Sequence, residues 1–335
     1  MEKILITGSG GLVGSEAVRC FSDTAKEIVG LDNNSRGKWF GKSGSVENSI
    51  FETSQFKNYR HLSLDIRNTE AVDDLVRNFQ PDAIIHCAGQ PSHEKSAEIP
   101  FEDFQINTVG TVNLLEATRK YVPKSSFIFV SSNKVFGDRP NYLPMIEKET
   151  RYTCKSVTED MSIDQCVHSP FGANKAGADL IVQEYGRYYG LNTVCFRCGC
   201  ITGRNHQGVE QHGFLNYLCK TVTAGLPYTI YGNGKQVRDN IHAADLVAAF
   251  HAYLLAPTPG AVYNIGGGEA NSCSILEALQ IIKEITGKIA EIKFDKPRKG
   301  DHLCYLTNYD RFVSHYPTWE IKISLQEIFQ ELLNR

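Results

Sequence analysis

A glycine-rich turn near the amino terminus constrains this chain more than any other feature. The apolar run at residues 3–7 leads directly into residues 8–14, which read GSGGLVG, and a helical pattern begins at Ser15. Strand, glycine turn and helix in this order bind phosphate, because glycines let backbone N–H groups approach a pyrophosphate at the positive end of the helix. The sequence therefore predicts a dinucleotide-binding turn that consists of Gly8, Gly10, Gly11, Leu12, Val13 and Gly14.

The next apolar run predicts which dinucleotide this site prefers. Residues 27–32 read as a second buried strand that ends in Asp32, eighteen residues after Gly14. A carboxylate here accepts hydrogen bonds from the adenosine ribose hydroxyls and repels a 2′-phosphate, which favours NAD over NADP. Arg36 favours NADP instead, because an arginine just downstream can hold that phosphate. The alternative interpretation of Asp32 is a solvated acid in a loop.

Strand and helix patterns alternate along the chain. Strands are predicted at residues 3–7, 27–32, 60–65, 83–87, 126–132 and 192–197, and helices from Ser15 and at 69–79, 101–121 and 176–189. Such alternation indicates βαβ units. The predicted fold is α/β, with a doubly wound Rossmann-type parallel sheet and a smaller C-terminal α/β substrate lobe.

The same pattern suggests domain boundaries and one long connection. The dinucleotide-binding domain is expected at residues 1–200, with a return segment at about 236–266, and the substrate lobe at 201–335. Residues 33–59 show no clear period and are expected to form a long loop. Loops of this length are usually functional or disordered, so this one is a candidate cover for the cofactor.

Ligands of an open α/β sheet bind outside the carboxyl ends of its strands, and several candidate residues stand there. Asp65 and Ile66 end the third predicted strand, small residues follow the fourth, and Asn107 interrupts the apolar face of a helix. The predicted cofactor contacts beyond the glycine turn are Asp32, Asn33, Arg36, Asp65, Ile66, Ala88, Gly89, Gln90 and Asn107.

Composition excludes several other classes of protein. A net charge of −3 without a sustained Lys/Arg run predicts no nucleic-acid partner. The sequence contains no apolar stretch of 18 residues, so no membrane span is predicted. The first apolar residues are a strand rather than a signal peptide, and the ten scattered cysteines favour reduced thiols in the cytoplasm. No metal site is expected, because Cys195, Cys198 and Cys200 lack a matching His/Cys pair.

Together these residues resemble the extended short-chain dehydrogenase/reductase family, specifically its nucleotide-sugar epimerases and dehydratases. The resemblance covers nearly the whole chain. Its motifs are the glycine turn, Asp32, Asp65, residues 86–89 (HCAG), Asn107, Ser132, Lys175, residues 232–239 (GNGKQVRD) and residues 263–266 (YNIG). Residues 132–138, 149–154 and 168–170 are most similar to the family's 2-epimerases of CDP-linked hexoses.

The resemblance implies bound NAD, a nucleotide-sugar substrate and a homodimer formed by the predicted helices 101–121 and 176–189. It also implies a Tyr-x-x-x-Lys pair, in which Lys175 holds the nicotinamide ribose and lowers the tyrosine pKa while Ser132 polarises the same substrate oxygen. Position 171, where the tyrosine belongs, is phenylalanine and cannot exchange a proton. His168 is the candidate replacement base, although a lone histidine beside a helix start is more often a structural hydrogen bonder.

The same resemblance implies substrate contacts in both halves of the chain. Arg238 and Arg298 resemble a pair of arginines that clamp a diphosphate, with ion pairing to Asp239 or Asp301 as the alternative. The loop at 203–213, which includes Arg204, is expected to face the hexose. The candidate substrate contacts are Ser132, Asn133, Lys134, Phe171, Arg204, Arg238 and Arg298.

Three functions remain open from the sequence. The leading one is C2 epimerisation of a CDP-linked hexose by transient hydride transfer. Net oxidation by a nucleotide-sugar dehydrogenase is the second, and a catalytically silent NAD- and nucleotide-binding protein is the third, because Phe171 removes the usual base and fold does not imply function. Dehydration is not expected, because Asn133 and Lys134 stand where the family's dehydratases carry an acid pair.

Overall fold

A computed structural model describes residues 2–298 and 300–334, which form fifteen strands and thirteen α-helices. The strands are β1 Lys3–Thr7, β2 Glu27–Leu31, β3 Tyr59–Leu62, β4 Ala83–His86, β5 Ser126–Ser132, β6 Met145–Glu147, β7 Tyr152–Cys154, β8 Asn192–Cys198, β9 Cys200–Thr202, β10 Tyr228–Tyr231, β11 Val237–His242, β12 Ala261–Ile265, β13 Ser272–Ser274, β14 Ile292–Asp295 and β15 Cys304–Tyr305. The helices are α1 Leu12–Phe21, α2 Ser35–Phe40, α3 Glu47–Thr53, α4 Thr69–Phe79, α5 His93–Glu98, α6 Pro100–Phe104, α7 Gly110–Tyr121, α8 Pro170–Arg187, α9 Phe214–Thr223, α10 Ala243–Leu255, α11 Ile275–Thr286, α12 Asp310–His315 and α13 Leu325–Leu333. Among the helices of the described residues, none has both the length and the apolar character that crossing a bilayer requires.

A seven-stranded sheet organises the larger part of the molecule. Its order is β12-β8-β5-β4-β1-β2-β3, and each neighbouring pair is parallel. The chain moves outward from β1 to β3 and then returns to place β4 on the other side of β1, which creates a switch point between β1 and β4. The doubly wound α/β fold is therefore confirmed, and the ligand crevice is expected at the carboxyl ends of these two strands.

Apolar side chains on both faces of the sheet explain why its strands are continuous apolar runs. Successive residues of a strand point to opposite faces. Ile4 and Ile6 of β1 belong to the core that includes Val18 of α1 and Phe250 of α10. Leu5, between them, belongs to a second core with residues of α4, α7 and α8. Both faces are thus covered by helices, which leaves the strand ends as the place where a ligand can enter.

A smaller lobe lies beside this sheet and has its own core. Parallel strands β10 and β14 form one pair, and β11 pairs with β9, β13 and β15. Helices α9, α11 and α13 enclose an apolar cluster that includes Leu218, Ile230, Ile282 and Phe329. Between these elements the chain returns to the large sheet as α10 and β12. Helix α12 also packs against β12, although the predicted division assigned its residues to the lobe.

The structure corrects the prediction of a long loop at residues 33–59. This segment forms α2, a 3₁₀ turn at Lys42–Gly44 and α3. The side-chain amide of Asn34 links the two helices, because it donates to Ser45 Oγ and accepts from the Val46 N–H. Tertiary contacts of this kind replace the apolar periodicity by which short helices are recognised.

Three other predicted elements have different bounds. Helix α8, predicted at 176–189, begins six residues earlier and spans Pro170–Arg187. Strand β3 ends at Leu62, three residues before the predicted end at Asp65. The predicted helix at 101–121 is interrupted by a π-turn at Gln105–Val109 between α6 and α7. Such turns often occur at functional sites, and this one contains Asn107.

Candidate active site

One cavity of about 470 Å³ extends from the carboxyl ends of β1 and β4 into the smaller lobe. Gly8, Gly11 and Gly14 line it at one end, and Arg238 and Arg298 line it at the other. The crevice predicted by the sheet topology and the arginines predicted from the second half of the chain therefore share one space. Its two ends suit a dinucleotide and a second ligand that lie side by side.

The glycine turn is packed too tightly for side chains. Gly8 has a φ of +67°, and a Cβ there would lie 2.7 Å from the Ala88 nitrogen. A Cβ on Gly14 would lie 2.1 Å from the Gly8 carbonyl oxygen. Helix α1 begins directly after Gly11, and no described side chain caps its amino terminus. The first-turn residues Leu12, Val13 and Gly14 line the cavity, so the turn fits a pyrophosphate.

Asp32 lies at the end of β2 with its carboxylate partly engaged. Its Oδ2 accepts a hydrogen bond of 3.0 Å from the Gly10 N–H, and its Oδ1 accepts one of 2.8 Å from the Asn34 N–H. Each carboxylate oxygen can accept a second hydrogen bond. Burial raises the pKa of Asp32, while these two N–H groups act in the opposite direction. Gly10 itself does not line the cavity and acts by orienting this carboxylate.

Arg36 crosses from α2 to the loop at 203–213. Its Nη2 donates a hydrogen bond of 2.8 Å to the Gln207 carbonyl, and its Nη1 lies 3.4 Å from His212 Nδ1. Burial lowers the pKa of Arg36 to about 10. Near the same groove, Asn205 Nδ2 donates to Ser15 Oγ across 3.1 Å. Arg36 is thus bound to protein acceptors, which leaves it less available to a 2′-phosphate.

The remaining predicted cofactor residues lie along the same end of the cavity. Asn33 donates a hydrogen bond of 3.0 Å to Asp65, and Asp65 also accepts from Arg67. That hydrogen bond with Arg67 lowers the pKa of Asp65. The cavity wall includes Asn33, Asp65, Ile66, Ala88, Gly89 and Gln90.

Asn107 supports this wall from behind instead of lining it. Its Nδ2 donates 3.1 Å to the Gln90 carbonyl and 3.0 Å to Asp103 Oδ1. A Cβ on Gly89 would lie 2.6 Å from Asn107 Oδ1 and 3.3 Å from Lys175 Nζ. Residue 89 therefore has to be small for Asn107 and Lys175 to approach the strand end.

Lys175 and Ser132 lie in the middle of the cavity. Lys175 Nζ donates a hydrogen bond of 3.2 Å to the Val130 carbonyl and lies 4.7 Å from the centroid of the Phe129 ring. Burial lowers the pKa of Lys175 to about 8. Ser132 Oγ accepts from the Lys134 N–H across 3.2 Å and donates a long hydrogen bond of 3.5 Å to Asn133 Oδ1. Both residues line the cavity.

Phe171 lies one helical turn before Lys175 on α8 and lines the same cavity. Residues four apart on a helix share a face, so the pair has the arrangement expected of Tyr-x-x-x-Lys, without the hydroxyl. The Phe171 ring packs against His93, with centroids 5.2 Å apart and planes inclined by 53°. His93 also lines the cavity, although sequence reasoning missed it. Its only sequence signal was its place shortly after the fourth predicted strand.

The structure corrects two of the sequence-based candidates. His168 does not line the cavity: its Nε2 donates a hydrogen bond of 2.9 Å to the Val135 carbonyl, and its ring contacts Cys166 Sγ. It thus has the structural role that the sequence offered as the alternative. Arg204 is exposed and also lies outside the cavity wall, while its neighbours Asn205, His206 and Gln207 line it.

The far end of the cavity carries a cluster of partly buried charged side chains. Asp301 accepts a hydrogen bond from Arg238 and lies 3.8 Å from Lys134 Nζ. Burial opposes ionisation of Asp301, yet the charges of Arg238 and Lys134 outweigh it and hold its pKa below the usual range. Burial lowers the pKa of Lys134 to about 8. Arg238 therefore forms an ion pair with Asp301, which the sequence offered as the alternative to diphosphate binding. Both residues line the cavity, so Arg238 also stands where a ligand could contact it.

Arg298 lies on the other side of this end. Its Nε forms an ion pair of 2.9 Å with Glu94, and its guanidinium lies 4.0 Å from the centroid of the Tyr231 ring. An aromatic ring under a guanidinium limits its movement and leaves its planar fork of donors available, which suits phosphate recognition. Asn133 also lines the cavity, between Ser132 and Lys134.

Comparison with known proteins agrees with this geometry. The model of the NAD dependent epimerase/dehydratase family matches residues 4–266. The chain belongs to this family. As an enzyme of the epimerase/dehydratase family it uses NAD, and the close-packed glycine turn, the free amino terminus of α1 and the Asp32 carboxylate fit that cofactor. Bound NAD supplies a reversible hydride acceptor, and the Ser132 hydroxyl and the Lys175 amine line the same cavity.

Relatives of this epimerase/dehydratase-family chain cover it almost completely. CDP-paratose 2-epimerase of Salmonella typhi is 33% identical, with 98% of each chain aligned. A dTDP-glucose 4,6-dehydratase of Escherichia coli is 28% identical over 98% of this chain and 88% of its own. Relatives at this distance include both reaction classes that the family name mentions.

Solved structures resemble the whole fold. UDP-glucose 4-epimerase of Thermus thermophilus, in complex with NAD, has a TM-score of 0.81 and 27% identity, and the match covers 99% of this chain and 98% of that one. The dTDP-glucose 4,6-dehydratase of Bacillus anthracis, also in complex with NAD, has a TM-score of 0.79 and 26% identity, with 100% and 96% covered. Both comparisons confirm the predicted family, fold class and cofactor.

Proposed function

We propose that this protein is an NAD-dependent nucleotide-sugar epimerase that inverts C2 of a CDP-linked hexose. The observation that carries the proposal is the similarity to CDP-paratose 2-epimerase, at 33% identity over 98% of both chains. That relative's name specifies the nucleotide and the carbon. The cavity supports the reaction class, because one space holds the dinucleotide turn, Lys175, Ser132 and the two arginines.

The residues after β5 favour epimerisation over dehydration. Elimination of water needs an acid and a base beside the reacting carbons. In the cavity wall Ser132 is followed by Asn133, which has no acid group, and by Lys134, which is paired with Asp301. The family's dehydratases are expected to carry an acid pair at these two positions, so the chain lacks the groups for that step.

The covering loop favours epimerisation over net oxidation. An epimerase returns the hydride to the same sugar, so its NAD has no need to leave, whereas a dehydrogenase must release reduced cofactor. Arg36 to Gln207 and Asn205 to Ser15 are hydrogen bonds that join the loop at 203–213 to the two elements flanking the dinucleotide groove. Such contacts must break before a dinucleotide leaves, which supports a retained cofactor.

Each candidate residue has a role in this proposal. Lys175 holds the nicotinamide ribose, and Ser132 donates its hydroxyl hydrogen to the oxygen on the reacting carbon. Arg238 and Arg298 bind the diphosphate, with Lys134 and Asp301 fixing the position of Arg238. Asn133 and Phe171 contact the sugar from the β5 and α8 sides of the cavity.

Phe171 is the observation that favours a second candidate, a protein that binds NAD and a nucleotide sugar without turnover. Purified protein should be incubated with a panel of CDP-, UDP- and GDP-hexoses and followed at the NADH absorbance band and by product NMR. A C2 epimer of a CDP-hexose without accumulated NADH is the expected result. A keto sugar with NADH indicates a dehydrogenase, and binding of NAD and sugar without change indicates the silent protein. Lys175→Met is the inactive control.

The proposal includes a homodimer in the cytoplasm. Helices α6 and α8 lie against each other, and exposed apolar side chains on them include Phe101, Phe104 and Leu180, with Tyr188 directly after α8. Exposed apolar patches of this kind mark association surfaces. The scattered cysteines, without a disulfide-like spacing, support the compartment.

A further inference from the structure

We propose that the carboxylate of Glu210 binds the exocyclic amino group of cytosine and thereby selects a CDP-linked sugar over a UDP-linked one. The inference rests on the proposed function, because it takes the diphosphate of the sugar nucleotide to lie at Arg238 and Arg298. In that proposed function the nucleotide comes only from the name of a relative. A side chain of this protein would account for it.

Glu210 lies at the sugar-nucleotide end of the cavity, beside Arg298. Nη2 of Arg298 donates a hydrogen bond of 3.2 Å to the main-chain carbonyl of Glu210. Glu210 lines the cavity and is exposed, so a ligand can reach its carboxylate. In a nucleoside diphosphate a single ribose separates the base from the diphosphate. A residue that is bonded to a diphosphate-binding arginine therefore lies within reach of the base.

The wall of this end of the cavity suits a planar base. Tyr217, Tyr228 and Tyr231 line it, and the rings of Tyr217 and Tyr228 have centroids 5.9 Å apart. Aromatic side chains bind bases by stacking, and every base has a face that can stack. Such a wall holds a base without distinguishing cytosine from uracil. Selection therefore requires a polar group that reaches the edge of the base.

Tyr231 fixes the orientation of the Glu210 carboxylate. The Tyr231 hydroxyl donates a hydrogen bond of 2.7 Å to Oε1 of Glu210. Within residues 2–298 and 300–334 this is the one hydrogen bond that the carboxylate accepts. An ionised carboxylate has acceptor sites on both oxygens and no donor. Oε2 is therefore left as an acceptor for a ligand that carries a donor.

Neutralisation of Arg298 does not explain this carboxylate. Nε of Arg298 forms its ion pair with Glu94, at 2.9 Å, and the contact of Arg298 with Glu210 is to the main chain. Asp301, the other carboxylate at this end of the cavity, is paired with Arg238. In the described part of the chain, Glu210 forms no ion pair. An unpaired carboxylate beside a diphosphate site repels that ligand unless a donor on the ligand compensates for it.

The chemistry of the pyrimidines determines which base Glu210 accepts. Cytosine carries an amino group at C4, which donates hydrogen bonds, whereas uracil carries a carbonyl oxygen there, which accepts them. Glutamate and aspartate accept from this amino group in protein–DNA complexes. Gln211 and Gln236 also line the cavity, but an amide presents both a donor and an acceptor and fits either base. Glu210 is therefore the group that discriminates.

The first test measures binding without turnover. NAD-bound protein is titrated calorimetrically with CDP and with UDP, for the natural protein, Glu210→Gln and Glu291→Gln, an exposed glutamate before β14. We expect the natural protein to bind CDP at least about tenfold more tightly than UDP, and Glu210→Gln to distinguish them by less than about twofold, because the charge-assisted hydrogen bond is lost. Glu291→Gln should keep the natural preference. A Glu210→Gln protein that keeps it too would overturn the inference.

The second test removes the amino group from the ligand instead of the charge from the protein. The 5′-diphosphate of 2-pyrimidinone riboside carries neither an amino group nor a carbonyl at C4. We expect the natural protein to bind it about tenfold more weakly than CDP, and Glu210→Gln to show a loss of less than about threefold. Such non-additivity identifies two groups in direct contact. An equal loss in both proteins would show that the amino group binds elsewhere.

Turnover separates this inference from the proposed function. A natural protein that binds neither CDP nor UDP, or that prefers UDP or GDP, contradicts the proposed nucleotide and the inference with it. A natural protein that epimerises a CDP-hexose and prefers CDP, with an unchanged preference in Glu210→Gln, contradicts the inference alone. With that CDP-hexose, Glu210→Gln should raise KM about tenfold and leave kcat unchanged, because the carboxylate contacts the base and not the reacting carbon. A fall in kcat at unchanged KM would refute a contact with the base.

Discussion

Nη2 of Arg36 donates a hydrogen bond of 2.8 Å to the main-chain carbonyl of Gln207, from the helix after β2 to the loop before α9. The contact joins the dinucleotide end of the cavity to the sugar end. It also occupies the arginine that the sequence offered as a ligand for a 2′-phosphate. We therefore expect this one side chain to contribute to retention of the cofactor and to the choice between NAD and NADP.

Replacing Arg36 should loosen the cofactor. In Arg36→Met we expect NAD to dissociate about tenfold faster, because hydrogen bonds of charged groups contribute about 1.5–3 kcal/mol. The release rate can be followed by the fluorescence of NADH after reduction of the bound cofactor. Arg60→Met, at an exposed arginine of β3, is the matched control. An unchanged release rate in Arg36→Met would show that the loop does not retain the dinucleotide.

Replacing Asp32 should weaken the binding of NAD without making NADP the preferred cofactor. Asp32→Asn keeps one oxygen that can accept from the Gly10 or the Asn34 N–H, but its amide nitrogen cannot accept from the other, and the charge that strengthens hydrogen bonds to the ribose is lost. We expect NAD to bind about tenfold more weakly. NADP should not become the preferred ligand, because Arg36 stays bound to Gln207. Calorimetric titration with both dinucleotides checks this, and a variant that prefers NADP contradicts it.

Activity should decline on the alkaline side at an unusually low pH for lysine. Burial lowers the pKa values of Lys175 and Lys134 to about 8, so both charges are present below that pH and are lost above it. The pH profile of kcat should therefore fall as the pH rises past about 8. Lys175→Arg and Lys134→Arg keep their charge, so each should make this fall shallower. A flat profile to about pH 10 would exclude both groups.

Acid should destabilise the fold through a buried histidine of the central sheet. His86 lies between Thr7 Oγ1, at 2.7 Å, and Thr111 Oγ1, at 2.9 Å, and burial lowers its pKa to about 3. The unfolded chain takes up the proton at about pH 6.5, so this stability is complete above that pH and is lost as the pH falls. Between pH 6.5 and 5 the loss is about 2 kcal/mol.

Urea unfolding at pH 7.5 and pH 5 measures this effect. His86→Gln keeps groups that can bond to both threonines but does not titrate. Its free energy of unfolding should therefore depend less on pH than that of the natural protein. An equal dependence in both proteins would assign the acid sensitivity to other groups.

A charge on the exposed face of α8 should separate the proposed dimer. Leu180 is 48% exposed in the single chain, and Leu255, at the end of α10, is 74% exposed. Leu180→Glu should sediment as a monomer in analytical ultracentrifugation, because burial of a carboxylate between two chains is costly. Leu255→Glu should remain dimeric. Monomeric natural protein, or a dimer in both variants, contradicts this surface.

The features that could be predicted from sequence are those encoded by residues that are close together in the chain. The glycine turn, α1 and Asp32 stand within 32 residues of the amino terminus and follow the strand–turn–helix pattern, so backbone sterics alone indicate their use. The strands of the large sheet were recognisable because both of their faces are buried, which makes them continuous apolar runs. The helices α2 and α3 were missed because tertiary contacts at Asn34 hold them in place of apolar periodicity.

By itself the sequence determined the dinucleotide site, the doubly wound sheet, the family and the lack of a tyrosine before Lys175, because each is written in neighbouring residues or in a regular period. Only the tertiary structure decided which histidine lies beside Phe171. His168 is close to it in sequence but bonds to the Val135 carbonyl, whereas His93 comes from another strand end and packs on the ring. Contact between distant segments follows from how strands and helices pack, and no local pattern records it.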